Sequence, residues 1–447
     1  MKNKQIRIRK GLTINLKGKP SAVVENLGRS SHYAVKPTSF LGVNPRLYVQ
    51  PGDKVKAGDK LFYSKYVPEI HVSSPVSGTV KEIVRGKRRV ILRVVIEADA
   101  EDTYVEFSPK DATREDVLQT LLHSGLFAYI KQRPYDITAH PADKPKAIYI
   151  PAYDTSPLAP DYNFGLTNER KAFEKGVEIL GKLTDGKVYV TADGESSTMF
   201  DDIPGAETLK IYGPHPAGNV SVAIAHTHPI SQGDRIWVVN PWDVVIMGRL
   251  FLTGRYDATK HVAFTGPLFK EPRYYKVKQG AYLKDAIGDL LKRKDHVRLV
   301  SGNPLTGTNI TEDGFLDVFD NSITALSDEP KARFFGWLPF LGESRKTVYR
   351  LNADWWSNKE RELDTALYGE ERPFVMTEEI EEVMPLDIFP VQLLKACLTG
   401  NVDRMEQLGI LEVAPEDFGL VDYISSSKIN AQNIIRNGLD IMMVEIG

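Results

Sequence analysis

The sequence predicts an α/β multidomain protein with a β-rich beginning, a middle in which strands and helices alternate, and a helical end. Three observations point to it. Up to about residue 105, apolar residues come in short or alternating runs between Gly and Pro turns, and helical periodicity is absent. From about residue 110, short apolar runs alternate with segments whose apolar residues recur every three or four positions. Beyond Pro385 that spacing continues with no strand between the segments. A chain of 447 residues, at roughly 100 to 200 residues per domain, has room for about two to four domains.

Residues 1–105 read as the first domain, with Arg7-Ile8-Arg9, Arg46-Leu47-Tyr48-Val49 and the run Val90 to Ile96 as strands. Pro51-Gly52-Asp53, Gly58 and Ser77-Gly78-Thr79 supply the turns, because Gly accepts positive φ without strain. Together these turns resemble the barrel-sandwich fold of biotinyl and lipoyl carrier domains. Such carriers hold their modified lysine between Met residues or between Asp and Ala. Lys65, in Ser64-Lys65-Tyr66, has neither flank, so the motif reads as scaffold.

Residues 106–268 read as a Rossmann-like α/β domain. Arg114 to Ile130 carries Val117, Leu121, Leu122 and Phe127 near helical spacing and ends before Arg133-Pro134. Ala147-Ile148-Tyr149-Ile150 is a strand, and Asn168 is placed to cap a helix with Phe173, Val177, Leu180 and Thr184 on one face. Lys187 to Val190, Leu209 to Tyr212, Val220 to Ala225, Arg235 to Val239 and Val262 to Phe264 continue as strands. A helix from Val244 to Leu252 follows Asn240-Pro241. In residues 269–350, a helix starting at Tyr282 and a strand at Val297 to Val300 suggest a small sheet with one helix. Residues 351–384, with Pro373 and the acidic residues Glu378, Glu379, Glu381 and Glu382, form a linker. Residues 385–447 form an α-helical bundle, marked by Val391, Leu394 and Leu398, by Met405 and Leu408, and by Ile434, Ile435 and Leu439.

Composition excludes several classes. The 57 basic and 59 acidic residues nearly cancel, unlike the basic excess of a nucleic-acid-binding domain. No apolar run approaches the roughly 18 residues that span a bilayer. Met1 to Lys10 is basic but lacks the apolar core of a signal peptide, so the expected location is the cytoplasm. One cysteine, Cys397, cannot form an internal disulfide or supply the roughly four thiolates of an iron-sulfur cluster. It lies in an apolar helical segment, where cysteines are mostly inert.

Other chemistries lack their signatures. No Gly-x-Gly occurs, so the dinucleotide loop is missing. Gly302 to Thr308 mimics a phosphate loop but has Thr308 in place of the lysine, and reads as a pair of turns. Ser196-Ser197 and Ser425-Ser426-Ser427 lack a nucleophile elbow. His215, His226 and His228 are the densest imidazole cluster. If residues 226 to 228 are extended, His226 and His228 share a face as two metal ligands would, but a third ligand is not evident. The other reading is loop histidines packing a domain junction. Trp355-Trp356 and Arg133-Pro134-Tyr135 present aromatics that stack on a ring or fill an interface. Lys2, Lys4, Arg7, Arg9, Lys10 and the stretch Arg85 to Arg89 are basic strips, either solvated or facing anionic lipid.

Taken in order, the motifs resemble one family over nearly the whole chain. They are Lys10-Gly11-Leu12, Pro51-Gly52-Asp53, Pro75-Val76-Ser77-Gly78, Tyr153-Asp154-Thr155-Ser156-Pro157-Leu158 and Leu183 to Tyr189. Gly213-Pro214-His215-Pro216-Ala217-Gly218, Ser301-Gly302 with Leu305-Thr306-Gly307, Phe335-Gly336-Trp337-Leu338 and Met384 to Ile388 complete the series. The family they resemble is the NqrA component of the sodium-translocating NADH:quinone oxidoreductases, which is similar in turn to the flavin-binding component of respiratory complex I and to the C component of the Rnf complex. Those relatives bind clusters through C-terminal cysteines, whereas Leu420 to Ser426 stands in that place here.

The resemblance implies a small β-grasp-like (SLBB-like) domain for 269–350 and a peripheral subunit on the cytoplasmic side of the bacterial inner membrane. It implies no prosthetic group and no metal in this chain. FAD, FMN, riboflavin and iron-sulfur belong to partner subunits, and quinone is the ligand. The partners expected are the sister subunits and quinone, with peripheral membrane contact and no nucleic acid. No catalytic residue is expected. A quinone needs an apolar slot with a few polar groups, and the residues chosen for it are His215, His226, His228, Arg133 and Tyr135. The alternatives are an Rnf-like or complex-I-like subunit carrying its own cofactor, and a biotin or lipoate carrier.

Overall fold

The computed structural model describes residues 4–329, 360–366, 370, 372–375 and 378–445, and these build four sheets and a set of C-terminal helices. Phe335 to Leu338, Trp355-Trp356, Lys2, the end of the 269–350 segment and most of the 351–384 linker lie outside the described residues.

A seven-stranded sheet occupies the centre. Its order is Lys4–Arg7, Ala206–Tyr212, Lys187–Asp193, Ala147–Ile150, Ile236–Val238, Lys131–Arg133 and Ile137–Thr138. The first five strands are parallel to one another, and the last two run antiparallel. Parallel strands need both faces covered, because their crossovers put helices on each side. Alternation in Ala147–Ile150 shows how this is met. Ile148 and Ile150 join the core beneath the helices Arg170–Gly181 and Pro241–Thr253, while Ala147 and Tyr149 join the core of the opposite face. That second core holds the helix Val220–Thr227 and the C-terminal helices Pro390–Thr399, Gly419–Ile424 and Ala431–Glu445.

The remaining sheets flank this centre. A six-stranded sheet has the order Thr308–Asn309, Val297–Ser301, Ser322–Ser327, Thr259–Thr265, Arg273–Lys278 and Ser21–Asn26. The N-terminal barrel-sandwich has a four-stranded sheet (His32–Val35, Ile91–Ala98, Gly78–Arg85, Lys54–Val55) and a three-stranded one (Pro45–Leu47, Lys60–Ser64, His71–Ser73).

Several sequence expectations differ from this arrangement. Lys4–Arg7 pairs with Ala206–Tyr212 and Ser21–Asn26 with Arg273–Lys278, so the first 26 residues extend two other sheets instead of the barrel-sandwich. Thr259–Thr265, expected in the central α/β sheet, belongs to the six-stranded one. The helix after Arg114 stops at Ser124, where Gly125 turns left-handed (φ 79°), and Phe127 lies on a following 3-10 turn. Asn168 caps nothing. Asp161 caps a short helix Tyr162–Leu166 through Phe164 N, and Arg170–Gly181 follows a 3-10 turn. Val220 to Ala225 is helix, not strand. Its run of apolar residues reflects burial on nearly all sides, a pattern that periodicity cannot separate from a core strand. Leu398 is 59% exposed, so it faces away from the C-terminal core that holds Val391 and Leu394.

Candidate functional site

In an open α/β sheet, a crevice forms beyond the carboxyl ends of the strands where successive connections leave in opposite directions. Here that point lies between Ala147–Ile150 and Ile236–Val238. From the first strand the chain builds Lys187–Asp193 and Ala206–Tyr212 to one side, then returns through Val220–Thr227 to the other. A cavity of about 510 Å³ opens there. Tyr153, Asp154 and Ser156 line it from the end of one strand, and Asn240 from the end of the other. The six-stranded sheet contributes Phe319 and Asn321 together with the Gly302–Thr306 turn, and the C-terminal helical segment contributes Glu416, Gln432 and Arg436. Gly302 has φ 96° and Gly307 N–H donates to Asn303 O at 2.9 Å, so this stretch is a turn structure that closes one wall.

His215 lines the cavity from the loop that follows Ala206–Tyr212 and is 4% exposed. The N-terminal segment holds this loop. Leu12 N–H donates to His215 O at 2.7 Å, and a side chain at Gly11 would come within 2.2 Å of the same oxygen. Gly218 N–H donates to Thr155 Oγ1 at 2.9 Å, and Thr155 Oγ1 lies 3.2 Å from His215 Nδ1. A Cβ at Gly218 would sit 2.7 Å from Tyr153 O, so only glycine allows that approach. His215 Nε2 is buried with no hydrogen-bond partner, and so is Ser156 Oγ. Burial lowers the His215 pKa to about 4, so the ring is neutral near pH 7.

Arg133 joins three parts of the molecule, with its side chain 3% exposed. It donates from Nη1 to Ser221 Oγ (3.1 Å) on the Val220–Thr227 helix and from Nη2 to Glu416 Oε1 (2.8 Å) on the C-terminal side. Asp136 Oδ1 lies 3.5 Å from its Nε. Burial opposes the charge on Arg133, but Asp136, Glu416 and Asp417 outweigh it and raise the pKa. Desolvation acts against the Asp136 carboxylate too, and Lys131, Arg133 and Arg436 overcome it and lower its pKa. Asn219 Nδ2 donates to Asp417 Oδ1 at 2.9 Å, a second tie between the sheet and the C-terminal segment.

Opposite them, Asn321 Nδ2 donates to Tyr162 Oη and to Asn240 Oδ1, both at 3.0 Å. Lys260, 1% exposed, donates to Val318 O at 2.9 Å and to Asp320 O, which ties down the loop carrying Phe319. Lys131 Nζ lies 5.0 Å from the centre of the Phe319 ring.

Of the five residues chosen from sequence, the structure brings Arg133 and His215 to this cavity. Tyr135 packs in the core behind it, and its carbonyl accepts from Arg436 Nη1 at 2.8 Å. His226 and His228 do not line it. His226 sits in the last turn of the Val220–Thr227 helix, exposed, with Nδ1 2.8 Å from Val222 O. His228 follows that helix, 2.9 Å from Tyr149 Oη. The extended backbone that would pair them as ligands is therefore not formed, and among the described residues no three His, Cys, Asp or Glu are grouped to hold a metal ion. Sequence reasoning missed Ser156, Asn240, Asn321, Glu416 and Arg436. Only Ser156 had a signal, since it lies in the Tyr153-to-Leu158 motif.

Three family models match the chain. They describe the NqrA N-terminal barrel-sandwich hybrid domain over residues 6–99, the NqrA second alpha/beta domain over 112–256, and the NQRA C-terminal domain over 261–312. The NqrA component of the Na(+)-translocating NADH-quinone reductase of Hahella chejuensis is 34% identical over 444 residues, covering 97% of this chain and 98% of that protein. Its counterpart in Yersinia pestis is 32% identical over 440 residues with the same coverage. Among solved structures, an NAD+-reducing NiFe hydrogenase is similar over 49% of this chain and 47% of its own, at 13% identity and a TM-score of 0.35. Among the described residues no helix is long and apolar enough to cross a membrane. Three domain models in sequence order and relatives matched end to end at this identity show that the chain belongs to the NqrA family, one of the subunits of the Na(+)-translocating NADH-quinone reductases.

Proposed function

We propose that this protein contributes a quinone-binding crevice to the NADH-quinone reductase complex, at the cavity between the central sheet, the six-stranded sheet and the C-terminal helices. One observation carries the reading: His215 Nε2 and Ser156 Oγ, both buried without partners, belong to residues lining the same cavity. A buried polar atom left unpaired costs about 1 to 3 kcal/mol, so a ligand oxygen placed there recovers that energy. Tyr129, Tyr153, Tyr162 and Phe319 give the walls aromatic surface, and about 510 Å³ falls within the usual range for small-molecule sites.

With Thr155 accepting from Gly218 N–H and donating to Nδ1, the His215 proton sits on Nε2, where it donates to a quinone carbonyl. Arg133 holds the C-terminal wall in place through Glu416. We assign no quinone contact to His226 or His228, and Tyr135 acts only through Arg436. The central strand order supports a Rossmann-like reading of the second domain, and the helices after Pro390 support a helical bundle. Flavins, iron-sulfur and the entry of electrons are assigned to sister subunits, with this chain at the cytoplasmic face.

Titration of the full chain with a short-tailed ubiquinone tests this. Replacing His215 with Ala is expected to weaken binding about tenfold, the equivalent of about 1.4 kcal/mol, and to slow quinone reduction by the assembled complex. Unchanged affinity in both His215→Ala and Ser156→Ala would refute the site. A flavin or iron spectrum in the isolated chain would favour the electron-carrying alternative.

A further inference from the structure

The hairpin that joins Gly78–Arg85 to Ile91–Ala98 ends in four exposed cations, Arg85, Lys87, Arg88 and Arg89. Beside them Val90 is 50% exposed and Leu92 38%. Val90 N–H donates to Lys87 O at 3.3 Å and Gly86 N–H to Val90 O at 2.8 Å, which closes a tight turn centred on Arg88 and Arg89. Those two residues have φ of 54° and 61°. Consecutive left-handed residues in a hairpin turn are the place for Asn-Gly, because other side chains are strained there. The tip therefore carries two arginines where folding alone favours neither. Among the described residues, none of the four forms an ion pair. The other basic strip differs: Lys4 Nζ donates to His226 O at 2.8 Å, and the Arg7 guanidinium lies 4.0 Å from the centre of the Tyr212 ring.

We propose that this hairpin is where the chain meets the membrane, its cations on anionic phospholipid headgroups and Val90 and Leu92 at the edge of the hydrocarbon. Charge complementarity selects an anionic surface, and the exposed apolar pair among the cations selects one with an apolar layer just beneath. The proposal rests on the reading that the protein works at a membrane, and not on the quinone site.

Sedimentation of the full chain with vesicles tests it. The wild type is expected to bind phosphatidylcholine vesicles containing phosphatidylglycerol, to be released by salt, and to ignore pure phosphatidylcholine. Arg88→Asn with Arg89→Gly relieves the turn, so the melting temperature holds or rises while binding weakens roughly 25-fold, about fivefold per charge. Val90→Ser with Leu92→Ser weakens it further, and Lys144→Gln with Lys171→Gln, two other exposed lysines, leaves it nearly unchanged. Equal binding to both vesicle types, no binding to either, or an Arg88→Asn/Arg89→Gly chain that binds as before would overturn the proposal. So would a variant that keeps vesicle binding but no longer joins the sister subunits, since the tip would then be a protein contact. Failure of the quinone site would appear only in the ubiquinone titration.

Discussion

Lowering the pH should destabilise this protein through His215, and a single substitution should remove that effect. The ring is 4% exposed, and burial holds its pKa near 4 against an ordinary 6.5. In the unfolded chain it takes up a proton as the pH falls through 6.5, while the folded chain resists until about 4. The stability it supports is therefore complete above pH 6.5 and is lost progressively between 6.5 and 4. At about 1.36 kcal/mol per unit, acidification to pH 5 costs about 2 kcal/mol. For a cooperative unit of roughly 150 to 250 residues this is a drop of about 4 to 8 °C in melting temperature. Gln at 215 keeps an amide near Thr155 Oγ1 but does not titrate, so His215→Gln should lose that much less on moving from pH 7 to pH 5. His71, also held near 4 by burial, titrates equally in both proteins and cancels in the comparison. Equal losses in the two proteins, or an imidazole NMR signal at 215 that titrates near 6.5, would refute the assignment of a desolvated ring.

Two further outcomes follow from the packing. Arg133→Met leaves Asp136 buried without its arginine. Breaking a buried pair costs about 3 to 5 kcal/mol, and because Glu416 keeps 44% of its side chain exposed, the lower end, about 3 kcal/mol, is expected. Amide exchange in residues 415–436 should quicken, and exchange no faster than in the wild type would show that Arg133 does not hold the C-terminal wall. At the contact of the Arg170–Gly181 and Pro241–Thr253 helices, a Cβ at Gly248 would lie 1.7 Å from Ala172 O. Gly248→Ala should thus cost about 1 to 3 kcal/mol by overpacking, read as a lower melting temperature. Gly165→Ala, whose Cβ would meet nothing nearer than 3.9 Å, serves as the control.

Local elements were legible where local physics makes them. Ala147 to Ile150 and Lys187 to Val190 form strands because short apolar runs bounded by turns have no other way to bury themselves, and Pro241–Thr253 starts after an Asn whose side chain accepts from Trp242 N. The errors came where burial removed the pattern. Val220 to Ala225 is apolar on almost every side, so its helical period left no polar stripe, and the misreading carried His226 and His228 into the proposed site. His215 was legible because its Gly-Pro-His-Pro-Ala-Gly loop has residues that only a tight backbone approach requires. Glu416 and Arg436 had no such mark, since each becomes part of the crevice only through partners about 280 to 300 positions away in the chain.

From its residues alone the chain declared its family, its mixed α/β character and its shortage of thiolates, because these depend on composition, order and near-neighbour spacing. The crevice came from somewhere else. It exists because the strand order reverses between Ala147–Ile150 and Ile236–Val238, because the first strand crosses into the central sheet to brace the His215 loop, and because helices from the far end of the chain close the opening. Those are long-range pairings, selected by burial of whole faces against each other, and no window of neighbouring residues encodes them.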